Sequence, residues 1–397
     1  MADAVIVASR RTAIGRAFKG SLVPHRPDDL LAEVTRALLS STPTIDPEQI
    51  DDYLLGCSLA GGEQGGNLAR IVPVMLGFDG VPGTTVNRYC TSSMQTTRMA
   101  HQTIRNGDGS VYLSMGLESV SRIGSRGPDP TEDERHPMFR GLTPSNPWVD
   151  PRERGGVPDV FMGMGVTAEN VADVHRVSRA EMDDYAVRSQ ELAVSAQASG
   201  FWDDEIVPIE HPNGSVFDRD ESLRAGSTVS GLAGLAPVFR EGGRVTAGNS
   251  CPLSDGVAGL TIVDDRTAKG VDSPYKARIV STAVHAVSPE IMGIATIGAA
   301  RRALQRANLE VADLDVVEIN EAFAAMVIPT YRDLGVPLEK VNPFGGAIAL
   351  GHPFGMSGAR ITGTMIRGLR SRGGRYGLQT MCVAGGQGMA MVVELLD

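Results

Sequence analysis

Aromatic residues make up only 5% of the chain, and lysine is nearly missing, present at Lys19, Lys269, Lys276 and Lys340 alone. Cysteine is sparse too. Cys57, Cys90, Cys251 and Cys382 stand far apart with no C-x-x-C pair. That excludes a zinc knuckle and a dense disulfide scaffold, and it fits a reducing compartment. Positive charge is outnumbered: Lys+Arg 37 against Asp+Glu 47 gives a formal net charge of -10. Nucleic acid is thereby excluded as the main partner, while a local arginine pocket for an anionic ligand is not. No stretch approaches the ~20 apolar residues of a membrane span. The first apolar run, Val5 to Ala8, stands before Arg10 and Arg11, the wrong order for a secretory signal, and Leu395-Leu396-Asp397 is no peroxisomal address. A cytoplasmic location is expected. His25, His101, His136, His175, His211 and His285 lack metal-ligand spacing, so no metal is expected. A P-loop and a G-x-S-x-G nucleophile elbow are also missing.

What is present is an ordinary globular composition, 42% hydrophobic and 21% charged, over 397 residues, enough for two or three domain-sized cores. Gly 47 points to many tight turns and close backbone contacts. The first region alternates strands and helices: strand Ala4–Ala8, helix Asp28–Leu39, strand Tyr53–Gly56, strand Thr85–Tyr89, helix Thr91–Arg105 closed by Gly107, strand Val111–Met115. From Gly124 to Asp159 seven prolines interrupt a charged stretch, which reads as a functional loop. Helices return at Thr167–His175 and Arg179–Ala198, the latter opened by a Ser178/Glu181 capping box. The last third reads as strand Ile279–Val284, helix Thr296–Ala307, strand Val316–Ile319, helix Glu321–Leu334, helix Ser357–Arg372, and strands Tyr376–Val383 and Met389–Leu395. This rhythm implies a layered α/β fold. Cys90-Thr91-Ser92-Ser93 and Gly355-Met356-Ser357-Gly358 each open a helix, and Val111–Gly116 parallels Leu378–Gly385, which suggests an internal duplication.

Four blocks carry chemistry. Cys90 stands between an apolar strand and a helix start, where unsatisfied N–H groups favour a thiolate; a small buried hydrophobe reads equally well there. His352 lies in a glycine-dense loop, Gly345 to Ala359, as a candidate base or oxyanion donor. The run Cys382-Val383-Ala384-Gly385-Gly386 ends a strand in a turn able to aim several N–H groups at one point, or simply to join two strands. Asn320 sits at a strand end, either in a site or as a helix N-cap. Gly163-Met164-Gly165-Val166-Thr167-Ala168 matches a dinucleotide fingerprint but follows no clear strand, so that reading is set aside.

Taken in order, these blocks resemble the thiolase family nearly from end to end. The likeness includes Arg11-Thr12-Ala13-Ile14-Gly15, Val86-Asn87-Arg88-Tyr89-Cys90, Thr167-Ala168-Glu169-Asn170 and Val245-Thr246-Ala247-Gly248-Asn249. It continues through Asn320-Glu321-Ala322-Phe323-Ala324, Gly351-His352-Pro353 and the Cys382 turn. The resemblance implies two duplicated α/β halves with mixed five-stranded sheets in an α/β/α/β/α arrangement, plus an inserted loop domain. The halves are expected at 1–121 with 246–270 and at 271–397, and the loop domain, binding CoA and acyl groups, at 122–245. It further implies retro-Claisen cleavage of a 3-ketoacyl-CoA, with Cys90 as nucleophile, His352 as its base and Cys382 as the second acid/base. Asn320 and His352 hold one oxyanion, the N–H groups of Cys90 and Ala384 the other. Met164, Arg224, Ala247 and Phe323 match positions around CoA, and Met292 one lining the acyl pocket. No permanently bound cofactor is expected, coenzyme A being a co-substrate. A homodimer or homotetramer is expected; no motif speaks for a multienzyme β-oxidation partner.

Three departures from the family pattern matter. A glycine is usual at Ala384, a serine at Cys251, and synthetic acetoacetyl-CoA thiolases usually carry His at Gly163. The last favours degradation of longer or bulkier acyl chains, of fatty-acid or steroid type, over the alternative of acetoacetyl-CoA synthesis. Decarboxylating ketoacyl synthases share the fold but would not need Cys382. A silent scaffold subunit would not need Cys90, Asn320, His352 and Cys382 together.

Overall fold

Hydrophobic residues on both faces of its strands bury the sheet between helices, as such runs require. The computed structural model describes residues 2–123 and 131–396. The principal strands are β1 (Ala4–Thr12), β2 (Asp52–Cys57), β3 (Gly83–Val86), β4 (Val111–Ser119), β5 (Ser254–Asp264), β6 (Ala277–Ala286), β7 (Val316–Ile319), β8 (Tyr376–Val383) and β9 (Gln387–Leu395). Their order is β7-β8-β9-β6-β1-β5-β4-β2-β3. The junction β6/β1 is short, pairing only Val5 with Arg278 and Ile6 with Ala277. Outward from it, each side runs antiparallel, antiparallel, parallel: β1-β5-β4-β2 on one side, β6-β9-β8-β7 on the other. The matching pattern is the duplication expected from the sequence. The first half closes with the parallel edge strand β3. In the second half that fifth strand shrinks to one bridge, Val317 with Val341. Asn342 then turns left-handed at φ 43 and Pro343 follows, which stops further pairing.

Period-two alternation sorts side chains into layers. On β1, Val5 and Val7 join a cluster with Leu30, Leu31, Val34 and Leu38 of helix α1 (Pro27–Ser41). Ala4 and Ile6 face a second cluster built on helix α2 (Ser92–Asn106) through Met94, Ala100 and Ile104. Met389, Met391 and Val393 of β9 enter the same central cluster, with Ile361, Met365 and Leu369 of helix α3 (Ser357–Arg372). Ala390 and Val392 face outward, against Ala299, Ala300 and Ala303 of helix α4 (Ala295–Ala307). The two central helices thus lie between the two halves of the sheet and bring the residues before their N-termini, Cys90 and Gly355, into one region. Gly355 is required there: a Cβ on it would stand 2.3 Å from Leu117 O.

Several expectations need correction. The strand expected to run to Tyr89 stops at Val86, because Tyr89 takes φ 44 and starts a tight turn. The helix expected from Glu321 starts at Ala324, with Phe323 as its N-cap residue. Asn320 is therefore no helix cap: its N–H still pairs with Thr380 O in the sheet, and Ala322 O accepts from Cys251 N at 3.0 Å. Strand β5 was not legible as a strand. Part of the irregular stretch, 124–130, lies outside the described residues; the rest, to Asp159, holds only one-turn helices such as Pro151–Arg154 among the described residues. Gly163 caps a helix, Met164–Val174, which no strand immediately precedes. Among the described residues no helix is long and apolar enough to cross a membrane.

Candidate functional site

Cys90 is held in a turn, Tyr89–Thr91, that delivers it to the start of α2. Asn87 shapes the turn: its Oδ1 accepts from Tyr89 N at 2.7 Å and its Nδ2 donates to Ser58 O at 2.7 Å. Ser92 Oγ accepts from Arg88 N at 2.9 Å and donates to Tyr89 O at 2.7 Å. Arg88 Nη1 donates to Gln387 Oε1 at 2.8 Å, tying this turn to the one after Cys382. Cys90 keeps part of its surface accessible. Burial raises its pKa above the usual thiol value, and Cys382 and Glu118 add to the rise; the N–H groups of Cys90 itself and of Ala384 pull the other way. The Ala384 N–H thus lies near enough to the Cys90 sulfur to favour its thiolate. Gly385 (φ 76) and Gly386 (φ 82) allow that turn, and Gly386 O accepts from Val287 N at 2.7 Å.

His352 is buried, and its two ring nitrogens are unlike. Ser357 Oγ donates to Pro353 O at 2.8 Å, so its 2.6 Å contact with His352 Nδ1 makes Oγ the acceptor and Nδ1 the N–H. Nε2 therefore carries the lone pair, and it accepts from Asn320 Nδ2 at 3.2 Å. Burial first, then Arg360, lowers the His352 pKa to about 3, so the ring is neutral at neutral pH. Asn320 is buried, with its Oδ1 bonded to no other described protein group. Cys382 closes β8; burial, then Cys251, pushes its thiol up to about 12. Cys251 lies within electrostatic range of Cys90, its pKa raised mainly by burial.

The remaining candidates fall into two groups. Met292, Phe323 and Met164 share one packed cluster with Cys382 and Cys251, and Phe323 meets Phe239 edge-on at 5.8 Å between ring centroids. Arg224 and Ala247 line a cleft of about 310 Å³ with Arg16, Lys19, Ser227 and Leu253. Its cationic side chains suit an anionic group.

Sequence reasoning missed two buried carboxylates. Glu118 accepts from Ser58 N and Leu59 N at 3.0 Å and from Gly355 N at 2.8 Å, so it clamps the His352 loop to the first half. Burial pushes its pKa up to about 7 against those donors. Glu321 accepts from Tyr185 Oη at 2.9 Å, Ser189 Oγ at 2.6 Å and Ile348 N at 3.1 Å, and so orders the approach to the same loop. A charged residue inside the apolar run Val111–Ser119 was the available signal for Glu118.

Comparison with known proteins matches residues 4–266 to the thiolase N-terminal domain and 273–395 to the thiolase C-terminal domain. The chain is 41% identical to the 3-oxoadipyl-CoA/3-oxo-5,6-dehydrosuberyl-CoA thiolase of Escherichia coli (strain K12), over 99% of this chain and 100% of that protein. It is 39% identical to the 3-ketoacyl-CoA thiolase of Bacillus subtilis (strain 168), over 100% of both. The crystal structure of the Bacillus anthracis acetyl-CoA acetyltransferase superposes with a TM-score of 0.87 at 35% identity, covering 100% of this chain and 99% of that one.

Proposed function

The chain belongs to the thiolase family of acyltransferases, and from that premise we propose that it cleaves neutral 3-ketoacyl-CoA substrates thiolytically, by way of an acyl thioester on Cys90. One observation supports the reading: the Ala384 N–H and a second thiol, Cys382, act on the Cys90 sulfur, while a buried imidazole lone pair on His352 meets Asn320.

In this mechanism the resting pair is thiol and neutral imidazole, since burial disfavours both charged forms. As Cys90 Sγ attacks the 3-keto carbon, Asn320 Nδ2 gives up the His352 Nε2 lone pair, which takes the thiol proton. The keto oxygen becomes an oxyanion held by the Cys90 and Ala384 N–H groups; losing one such donor typically costs about 10²–10³ in rate. The Cα–Cβ bond breaks, the shortened acyl group stays on Cys90, and acetyl-CoA leaves as its enolate. The enolate oxygen faces protonated His352 and a water held by Asn320. Cys382 protonates the enolate carbon; a thiol with a pKa of about 12 keeps its proton until a carbanion needs it. The Cys382 thiolate then takes the proton of incoming CoA, whose sulfur attacks the thioester. Cys90 leaves and recovers its proton from His352. Arg224, Arg16 and Lys19 would receive the CoA phosphates, with Ala247 beside them, and Cys251 near the reacting sulfur.

The acyl end supports an apolar chain. Met292 is its candidate, packed in one apolar cluster with Phe323 and Met164 of the CoA side, and Arg135, a nearby cation, is committed to Asp159. This weighs against a tail carboxylate of the kind named for the Escherichia coli relative. Gly163 weighs against an acetoacetyl-CoA specialist, the second reading, which the likeness to the Bacillus anthracis acetyl-CoA acetyltransferase favours. A role in β-oxidation, a cytoplasmic location and a homo-oligomer belong to the same proposal. The test is CoA-dependent thiolysis of acetoacetyl-CoA, longer and ring-bearing 3-ketoacyl-CoAs and 3-oxoadipyl-CoA, with Cys90→Ala as blank. Preference for longer neutral chains supports the reading. Turnover confined to acetoacetyl-CoA or to 3-oxoadipyl-CoA overturns it.

A further inference from the structure

Glu290 is a buried carboxylate that the mechanism does not use. It lies in the turn Pro289–Ile294, beside the catalytic region. Its Oε2 accepts from Trp148 Nε1 at 2.7 Å and its Oε1 from Asp159 N at 2.9 Å. Its main-chain oxygen accepts from Asn170 Nδ2 at 3.0 Å. One residue of the second half therefore holds both ends of the segment 148–159 and the helix behind it.

The pinned segment leads straight to the site. Asp159 Oδ1 accepts from Phe161 N at 2.9 Å and pairs with Arg135, whose guanidinium lies 5.6 Å from the Phe161 ring centroid. Phe161 meets Phe139 edge-on at 5.6 Å. Val160 Cγ2 lies 3.6 Å from where a Cβ on Gly385 would stand, against the turn that carries the Ala384 N–H. On the other side of Glu290, Met292 is buried in the cluster with Cys382 and Phe323.

We propose that Glu290 is a specificity-determining positioning residue: by holding Trp148 and Asp159 it fixes the wall formed by Val160, Phe161 and Met292, and so selects the length of the acyl chain. This rests on the functional reading above. Glu290 touches no reacting atom in that mechanism, so its loss acts on substrate fit. A hydrogen bond to a charged group is among the stronger ones, and releasing the segment lets the wall move where a long chain needs it. A short chain meets less of that wall.

The experiment compares the full-length enzyme with Trp148→Phe, which keeps the ring and removes the donor, and with Glu290→Gln. Thiolysis of 3-ketohexanoyl-CoA and 3-ketodecanoyl-CoA is measured, with thermal unfolding alongside. The expected result is a KM for the longer substrate changed about tenfold, with kcat on both substrates and the KM of the shorter within about twofold. Glu290→Asp, which can still accept from one donor, is expected to recover part of the split. Equal effects on both substrates, or no effect on either, overturn the proposal, whatever the change in unfolding temperature. A wild-type enzyme that turns over neither substrate overturns the functional reading and takes this inference with it; wild-type turnover without the split overturns this inference alone. If Glu290→Gln fails to fold, Trp148→Phe decides by the same criteria.

Discussion

Ser357→Ala removes the acceptor that holds the His352 Nδ1–H. In the wild type, Ser357 Oγ lies 2.6 Å from Nδ1 and sends its own proton to Pro353 O at 2.8 Å. Without it, Nδ1–H is buried and unpartnered, a state that costs about 1–3 kcal/mol. The ring can escape by moving its proton to Nε2, with the Asn320 amide turning so that Oδ1 accepts from it. That tautomer has no lone pair facing Asn320 and cannot take the Cys90 proton. A bias of about 2 kcal/mol toward it lowers the productive population roughly thirtyfold. The assay is steady-state thiolysis, where kcat should fall by about that factor and the KM for CoA should hold. Thr362→Val is the control: Thr362 Oγ1 lies in the same helix and donates to Gly358 O at 2.8 Å, away from His352. It should lose stability with kcat within about threefold of wild type. A folded Ser357→Ala enzyme with kcat within about twofold of wild type would refute the tautomer argument.

Three further outcomes are expected. His352 has a pKa of about 3 in the fold and 6.5 as reference, so between these values the unfolded chain binds the extra proton. Stability from this group is therefore full above the unfolded value and is lost as pH falls; wild type should lose about 1.4 kcal/mol per pH unit more than His352→Asn below pH ~6, checked by denaturant unfolding at several pH values. Gly386→Ala places a Cβ 2.5 Å from Val287 O at φ 82, which displaces the Ala384 N–H; kcat should fall at least about tenfold with CoA binding retained, measured by kinetics and calorimetry. Met365→Ala empties part of the fully buried central layer and should destabilise the fold by about 2–5 kcal/mol in urea unfolding, with the kinetics of the surviving folded enzyme little changed.

The sequence revealed the elements whose signals are local. The Ser178/Glu181 box opens its helix at Arg179 as expected, and Val316–Ile319, Ser357–Arg372 and Tyr376–Val383 lie where the apolar pattern put them. Signals that depend on distant partners were not legible. β5 is broken in pattern by Asp255, Gly256 and Gly259, yet it is buried because it fills the space between β1 and β4. Asn320 looked like a helix cap until Thr380 and His352 claimed its polar groups. Cys90 had two readings of equal standing from its own neighbours; only the fold brings Ala384 and Cys382 to it. Glu118 and Glu290 bind chain segments far away in sequence, and no spacing rule announces them.

The most direct test of the central claim is the identity of the acylated residue. The enzyme is mixed with 3-ketodecanoyl-CoA in the absence of free CoA, quenched in acid, digested and read by mass spectrometry. An octanoyl group is expected on the peptide carrying Cys90, with acetyl-CoA released in equal amount and no acyl group in Cys90→Ala. An acyl group on Cys382 or Cys251, or acetyl-CoA release without any acylated cysteine, would contradict it.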